Sequence, residues 1–166
     1  MKKSRSIALA GVFSALAIVL MWAGALTGFG TYASPLLAGI ALIPVGLALG
    51  RRYHLLAFIA VSLLCPLLSA DWEMNLLFTA LFGWYPILRP TLEKLKNPLK
   101  LILKFLIFNV LTIGIEMLVM LVIMPSAEQP WLLLMLLALG NLTFYYYDYV
   151  LPRIELALSI KLRIGG

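Results

Sequence analysis

Glu116 is the residue whose type and setting call most strongly for chemistry. It stands in Thr112-Ile-Gly-Ile-Glu-Met-Leu118, inside an apolar run that carries no other charge from Phe105 to Met124. A carboxylate at membrane depth costs a few kcal/mol or more unless it is paired, hydrated or protonated. It therefore reads either as a ligand or ion contact in an outward-facing cavity, or as a protonated acid hydrogen-bonded to a neighbouring helix. No basic residue lies at its depth in the sequence, so its partner is neutral, a proton or a ligand. Asn141 and Thr143, beside Gly140, are polar groups in a second apolar run; they read as ligand contacts or as hydrogen bonds between helices, and Asn109 as a tie between helices. Asp148 reads as half of an ion pair with Arg153 or Arg89, or as a gate. Two short segments complete the set. Asp71-Trp72-Glu73 flanks an indole with carboxylates, and Thr27-Gly28-Phe29-Gly30-Thr31-Tyr32 is aromatic and glycine-rich. Its glycines fit a loop that opens and closes as a lid, or an ordinary turn. The ligand-binding residues expected are Glu116, Asn141, Trp72, Tyr32, Phe29 and Asp71, an acidic and aromatic set suited to a cationic or aromatic solute.

Other chemistries lack their residues. Cys65 and His54 are the one cysteine and the one histidine, which excludes an intramolecular disulfide and a Cys/His metal cluster. There is no G-x-S-x-G elbow, H-E-x-x-H pair or P-loop, and no helix carries paired carboxylates. Gly28, Gly30 and Ala33 match G-x-G-x-x-A only formally, since no strand precedes them. No catalytic residue, metal or cofactor is expected, and the chain reads as a non-enzyme.

The elements that must position these side chains follow from composition. Hydrophobic residues make up 63% of the 166 and charged residues 12%, against about 25% charged in a soluble domain. Too few charges remain to coat a water-facing surface, so the chain reads as a single all-α membrane domain, 1–166, in the lipid bilayer. A bilayer core needs about 20 apolar residues as helix. Six stretches qualify: Ile7–Leu26, Ala33–Gly50, Leu55–Ala70, Trp72–Leu88, Leu101–Met124 and Trp131–Leu151. The fourth is the least apolar. The basic Met1-Lys-Lys-Ser-Arg5 resembles the start of a signal peptide, but the stretch after it is long for one, so it reads as a retained span. Pro44, Pro66 and Pro86 are expected to kink spans two, three and four, leaving a recess in the bundle.

Six spans place all 13 Lys and Arg on the side of both termini, and Asp71, Glu73 and Glu128 on the other. The positive-inside rule makes the basic side cytoplasmic. The net charge of +6 is thus read as topology, not nucleic-acid binding. Trp22, Tyr32, Trp72 and Trp131 fall at the outer interface. Tyr53, Trp84, Tyr85, the run Tyr145-Tyr146-Tyr147 and Tyr149 fall at the inner one, as aromatic belts would. The segments Arg89–Lys100 and Arg153–Arg163 read as basic amphipathic pieces, the latter as helix on the membrane surface. In span one, Ala10/Ser14 and Gly11/Ala15 are small residues four apart, a close-packing face for a helix of this chain or of another protein.

The basic, Ala-rich opening Met1-Lys-Lys-Ser-Arg-Ser-Ile-Ala-Leu-Ala-Gly-Val-Phe-Ser-Ala-Leu-Ala17, Pro35 at the head of span two and Pro44 in Leu-Ile-Pro-Val, together with the small size and six spans, resemble the substrate-binding S components of bacterial energy-coupling factor (ECF) transporters. The resemblance covers the whole chain in outline. It implies capture of a vitamin-like small organic nutrient from outside and docking on a transmembrane coupling subunit with two ATPase subunits. By that likeness Ala10, Ser14, Gly11 and Ala15 are the partner-docking positions. A second outline is also similar: the rod-shape-determining membrane protein D, a non-catalytic membrane scaffold with no small ligand.

Overall fold

The computed structural model describes residues 3–28, 30–123 and 130–164. Each apolar stretch is helical, as internal satisfaction of the backbone in hydrocarbon demands. Helix α1 spans Lys3–Thr27, α2 Ala33–Leu49 and α3 Arg51–Leu68. The fourth stretch is broken into α4 (Trp72–Leu77), a π-helical turn (Phe78–Phe82) and α5 (Tyr85–Leu92). Helix α6 (Leu99–Leu118) runs on into a second π-helical turn, Val119–Ile123, and α7 spans Pro130–Ile164. No strand occurs among the described residues. Three helical stretches, Ser4–Thr27, Arg51–Leu68 and Leu99–Leu121, are long and apolar enough to cross a membrane, and Ala33–Leu49 is a shorter apolar helix.

The outer surface agrees with a lipid setting. Leu67, Leu121, Leu63 and Leu134 are each about seven-tenths exposed or more, a burden of bare aliphatic surface that water disfavours. Helix α2 is the opposite case: Ala41, Leu42, Ile43, Pro44 and Val45 are buried in succession, as in a helix apolar on every side and surrounded by others. It joins two cores. One gathers Ala17 and Met21 of α1, Leu42 of α2, Val61 of α3, and Phe78. The other gathers Leu81, Phe82, Tyr85, Phe108, Phe144, Tyr147 and Leu151 from the broken segment, α6 and α7.

Glycines set the closest approaches. Gly50 adopts φ +91° and alone separates α2 from α3, a conformation that costs an L side chain energy. Gly24 and Gly30 pack backbone to backbone, and a Cβ on either would overlap the other residue or Ser34. Gly30 is therefore a packing residue rather than the hinge of a lid. Gly39 lets α2 lie against the Phe82 carbonyl. Pro86, four residues on, has no N–H to give that carbonyl. The expected kink at Pro86 is thus a complete break, with the chain turning at Gly83–Trp84 before α5 starts.

The Tyr85 and Tyr147 side chains are buried, at 5% and 4% exposure. This corrects the belt assignment for both, since each ring packs on Phe144 or Phe82 and not at the membrane surface. Tyr145, Tyr146 and Tyr149 are exposed. The expected surface helix Arg153–Arg163 is no separate element, because α7 continues through Pro152 to Ile164.

Close packing at Gly39 gives a direct test. Gly39→Ala forces a methyl against backbone and should lower the thermal stability of the detergent-solubilised protein, by about 1–3 kcal/mol as for other overpacked sites. Gly114→Ala, where a Cβ meets nothing within 4 Å, should be neutral or slightly stabilising. Equal melting temperatures for the two variants would contradict this packing.

Candidate functional site

Helix α6 carries Lys104, Phe108, Thr112 and Glu116 four residues apart, which puts them on one stripe. All four are buried, none more than 3% exposed. Lys104 and Glu116 stand about 18 Å apart along the axis, by the rise per residue. The stripe thus runs from a cation near one end of the helix to a carboxylate near the other. Helix α7 answers it with Asn141, Phe144 and Asp148.

At the basic end, Lys104 Nζ donates to Asp148 Oδ2 at 2.7 Å and to Glu93. Arg89 Nε lies 3.0 Å from Asp148 Oδ1, and the same oxygen accepts from the Tyr85 hydroxyl at 2.6 Å. Arg89 also reaches Glu93 at 3.3 Å, and Lys100 reaches Glu93 at 3.2 Å. Asp148 is therefore paired with Arg89, one of the two partners expected, and with Lys104. Arg153 instead donates to Tyr149 and stacks over its ring at 4.1 Å. The network ties α5, α6, α7 and the segment joining α5 to α6. The ammonium of Lys104 and the guanidinium of Arg89 are held where neither is free to leave without stranding a carboxylate. The hydrogen bond from Lys104, above all, holds the Glu93 carboxyl below its ordinary value. Burial, the largest influence on Glu155, raises its carboxyl.

Beside the stripe, one residue past Phe108, Asn109 and Asn141 exchange two amide hydrogen bonds, each 2.8 Å. Each also donates to the carbonyl four residues back on its own helix. This places Asn141 as the α7 half of a tie to α6, the role expected of Asn109.

Beside the amide pair lies a cavity of about 220 Å³. Its walls come from Leu77 and Phe82 of the broken segment, Phe108 and Thr112 of α6, Leu139 and Gly140 of α7, and Tyr32. The lining is almost wholly apolar. Thr143 turns its hydroxyl back to the Leu139 carbonyl at 2.9 Å, and the Tyr32 hydroxyl donates to Glu73. Thr112 Oγ1 is buried without a hydrogen-bond partner among the described residues. A threonine in a helix ordinarily bonds back to the preceding turn; this hydroxyl does not, and its oxygen is buried rather than turned into the cavity.

The other expected ligand residues are dispersed. Asp71 caps α4, accepting from the Met74 N–H at 2.9 Å through Oδ1 and from the Thr31 hydroxyl at 2.8 Å through Oδ2. With Tyr32–Glu73 it latches the α1–α2 connection to the start of α4. Trp72 points outward, 54% exposed. Glu116 is buried at 2% exposure, one turn past Thr112 on α6. Phe29 lies outside the described residues. The four docking positions divide. Ala10 packs on the first core and Ser14 is half-buried, while Gly11 and Ala15 are exposed, with open space around Gly11. No metal-binding group of three or more His, Cys, Asp or Glu occurs among the described residues.

Sequence reasoning passed over Lys104 and Thr112. The signal was present as the spacing Lys104, Phe108, Thr112, Glu116, which marks one face of α6. No family model, characterised protein or solved structure matches the chain.

Two outcomes follow from the ionic network. Lys104→Met leaves Asp148 and Glu93 short of a cation and should cost about 3 kcal/mol, within the range for breaking a buried pair. Adding Asp148→Asn should recover part of that loss. Two losses that simply add, measured by thermal unfolding, would show that the two side chains are not coupled. The second outcome concerns pH. The folded Glu93 carboxyl sits below its ordinary value of 4.5, so its stabilisation is complete above that value and is lost as pH falls through the folded one. Glu155 is shifted the other way, and its contribution is lost as pH rises through its folded value. The melting temperature of wild type relative to Glu93→Gln should therefore shrink on acidification below about pH 4.5; a constant difference would refute the assignment.

Proposed function

We propose that this protein is a six-span bacterial membrane protein that captures a small, largely apolar organic nutrient from outside, as the S component of an ECF-type transporter does. Both termini lie in the cytoplasm and the Asp71–Glu73 segment lies outside. The observation that carries the reading is the cavity between the broken fourth segment, α6 and α7. An apolar cavity of roughly 150 Å³ takes up benzene, so about 220 Å³ suits a single substituted ring or a compact bicycle. The lining offers shape and apolar contact, with Thr112 presenting carbon to the space while its Oγ1 is buried, in the usual pattern of an apolar pocket with few polar groups. The acidic, aromatic recognition expected from the sequence gives way to shape and apolar contact, because Asp71 and Asn141 spend their polar groups on the fold.

In this reading the Thr31–Asp71 and Tyr32–Glu73 contacts close the outer side, and their release admits the solute. The exposed Gly11 and Ala15 edge of α1 is left for the coupling subunit, whose two ATPases supply the energy. The protein itself performs no catalysis.

The test is extraction of the purified protein followed by mass spectrometry. A small aromatic or alicyclic molecule should co-purify with wild type and fall at least about tenfold in Gly140→Leu, which fills the cavity, with helicity unchanged by circular dichroism. Thr112→Val, which replaces a hydroxyl whose oxygen is buried away from the space, should leave retention unchanged. A folded wild type that carries no small molecule and shows no thermal shift with a panel of aromatic micronutrients would overturn the proposal in favour of the scaffold.

A further inference from the structure

A second recess, of about 330 Å³, opens at the basic end of the bundle, where the α2–α3 turn meets α5 and α7. It is separate from the apolar cavity and meets the Lys104 network only through Glu155, which faces Arg89. Its wall carries three ionisable side chains from two helices: Arg51 and His54 of α3 and Glu155 of α7. Arg51 makes no ion pair among the described residues. His54 is only 5% exposed, and its Nε2 is buried with no hydrogen-bond partner among the described residues. Glu155 has one cation near it, Arg89, at the long distance of 3.7 Å. The rest of the wall is aliphatic, including Leu47, Pro86 and Ile87.

This is an unusual wall for a lipid-facing protein: a guanidinium and a carboxylate on different helices, neither closely paired, above apolar surface. Arginine suits phosphate through several donors held in one plane. A carboxylate suits a primary ammonium, which has three donors to give. Leu47 both lines the recess and is 42% exposed on the outer face of α2, so the apolar floor continues onto the surface that faces lipid. A soluble zwitterion would leave that floor bare, whereas a lipid covers it with an acyl chain.

We propose that this recess holds the headgroup of a phospholipid with a primary amine, its phosphate on Arg51, its ammonium on Glu155 and its acyl chain leaving past Leu47. The site sits at the headgroup level of the basic side, and it requires only that the protein lie in a membrane. It is independent of what the apolar cavity binds.

The test uses the full chain, reconstituted in nanodiscs of equal phosphatidylethanolamine and phosphatidylcholine, then released and weighed by native mass spectrometry with its retained lipid. Phosphatidylcholine has the same phosphate but a quaternary amine that cannot donate a hydrogen bond. Wild type should retain phosphatidylethanolamine in preference by about fivefold, as expected from a charge-assisted hydrogen bond. Arg51→Ala should lower retention of both lipids, and Glu155→Gln should abolish the preference. Arg52→Ala, next in sequence but not part of the wall, should behave as wild type. Arg51 is exposed, so its variant should fold even if Glu155→Gln does not. Equal retention of the two lipids by wild type, or an unchanged pattern in Arg51→Ala, would overturn the proposal. Displacement of the lipid by soluble phosphoethanolamine would also overturn it, by marking a site for the free zwitterion.

Discussion

Inside hydrocarbon a polar group has no water to return to, so every charge and amide carried into the bundle must find its partner there. The seam between α6 and α7 is built on this requirement. Lys104 is nearly fully buried and is tolerated because Asp148 and Glu93 both accept from it. Asn109 and Asn141 satisfy each other. Arg89 and Tyr85 bring α5 to the same carboxylate. These contacts fix the register of three helices, because sliding any one by a turn would strand a charge. In lipid, where apolar association is weak, such polar ties and close small-residue contacts replace the hydrophobic drive of a soluble core.

The same seam explains why a cavity persists beside it. Phe108 and Phe144 stack at 4.5 Å on the basic side of the space, and the amide pair holds α6 and α7 at a set distance. On the facing side the fourth segment cannot close in as a straight helix. Pro86 removes the donor for the Phe82 carbonyl, the chain turns at Gly83–Trp84, and a π-helical turn displaces Leu77 and Phe82 from regular register. These elements therefore leave between them a half-open space that none of them fills, lined by apolar side chains. At the opposite end from the ionic network, Asp71 and Glu73 fasten the α1–α2 connection to α4.

Much of the fold was legible in the sequence, for a physical reason. Long uncharged Leu/Ala/Ile runs have no stable backbone state in hydrocarbon other than helix, and the expected stretches Ala33–Gly50 and Leu101–Met124 match α2 and the α6 stretch to within a residue or two. The fourth stretch was legible as weak, through Glu73, Asn75 and Pro86, but not as three pieces. The π-helical turn depends on how Phe78 and Phe82 pack against α2 and α3, which no local pattern records. Of the candidate site, Tyr32 is found in the cavity wall. Asn141 and Asp71 are polar residues in suggestive places that the fold uses for its own joints. Lys104 and Thr112 went unread because each looks ordinary alone: a lysine near a span end, and a threonine among aliphatics.

The sequence by itself determined that this is a helical protein with a surface suited to lipid, because burial cost is a property of each residue and its near neighbours along the chain. Only the tertiary structure decided which polar groups are spent on one another and which are left over. That difference turns on distances between helices far apart in sequence. Asn141 is a joint because Asn109 stands 2.8 Å away, and the Thr112 hydroxyl is left over because nothing described stands near enough to bond it.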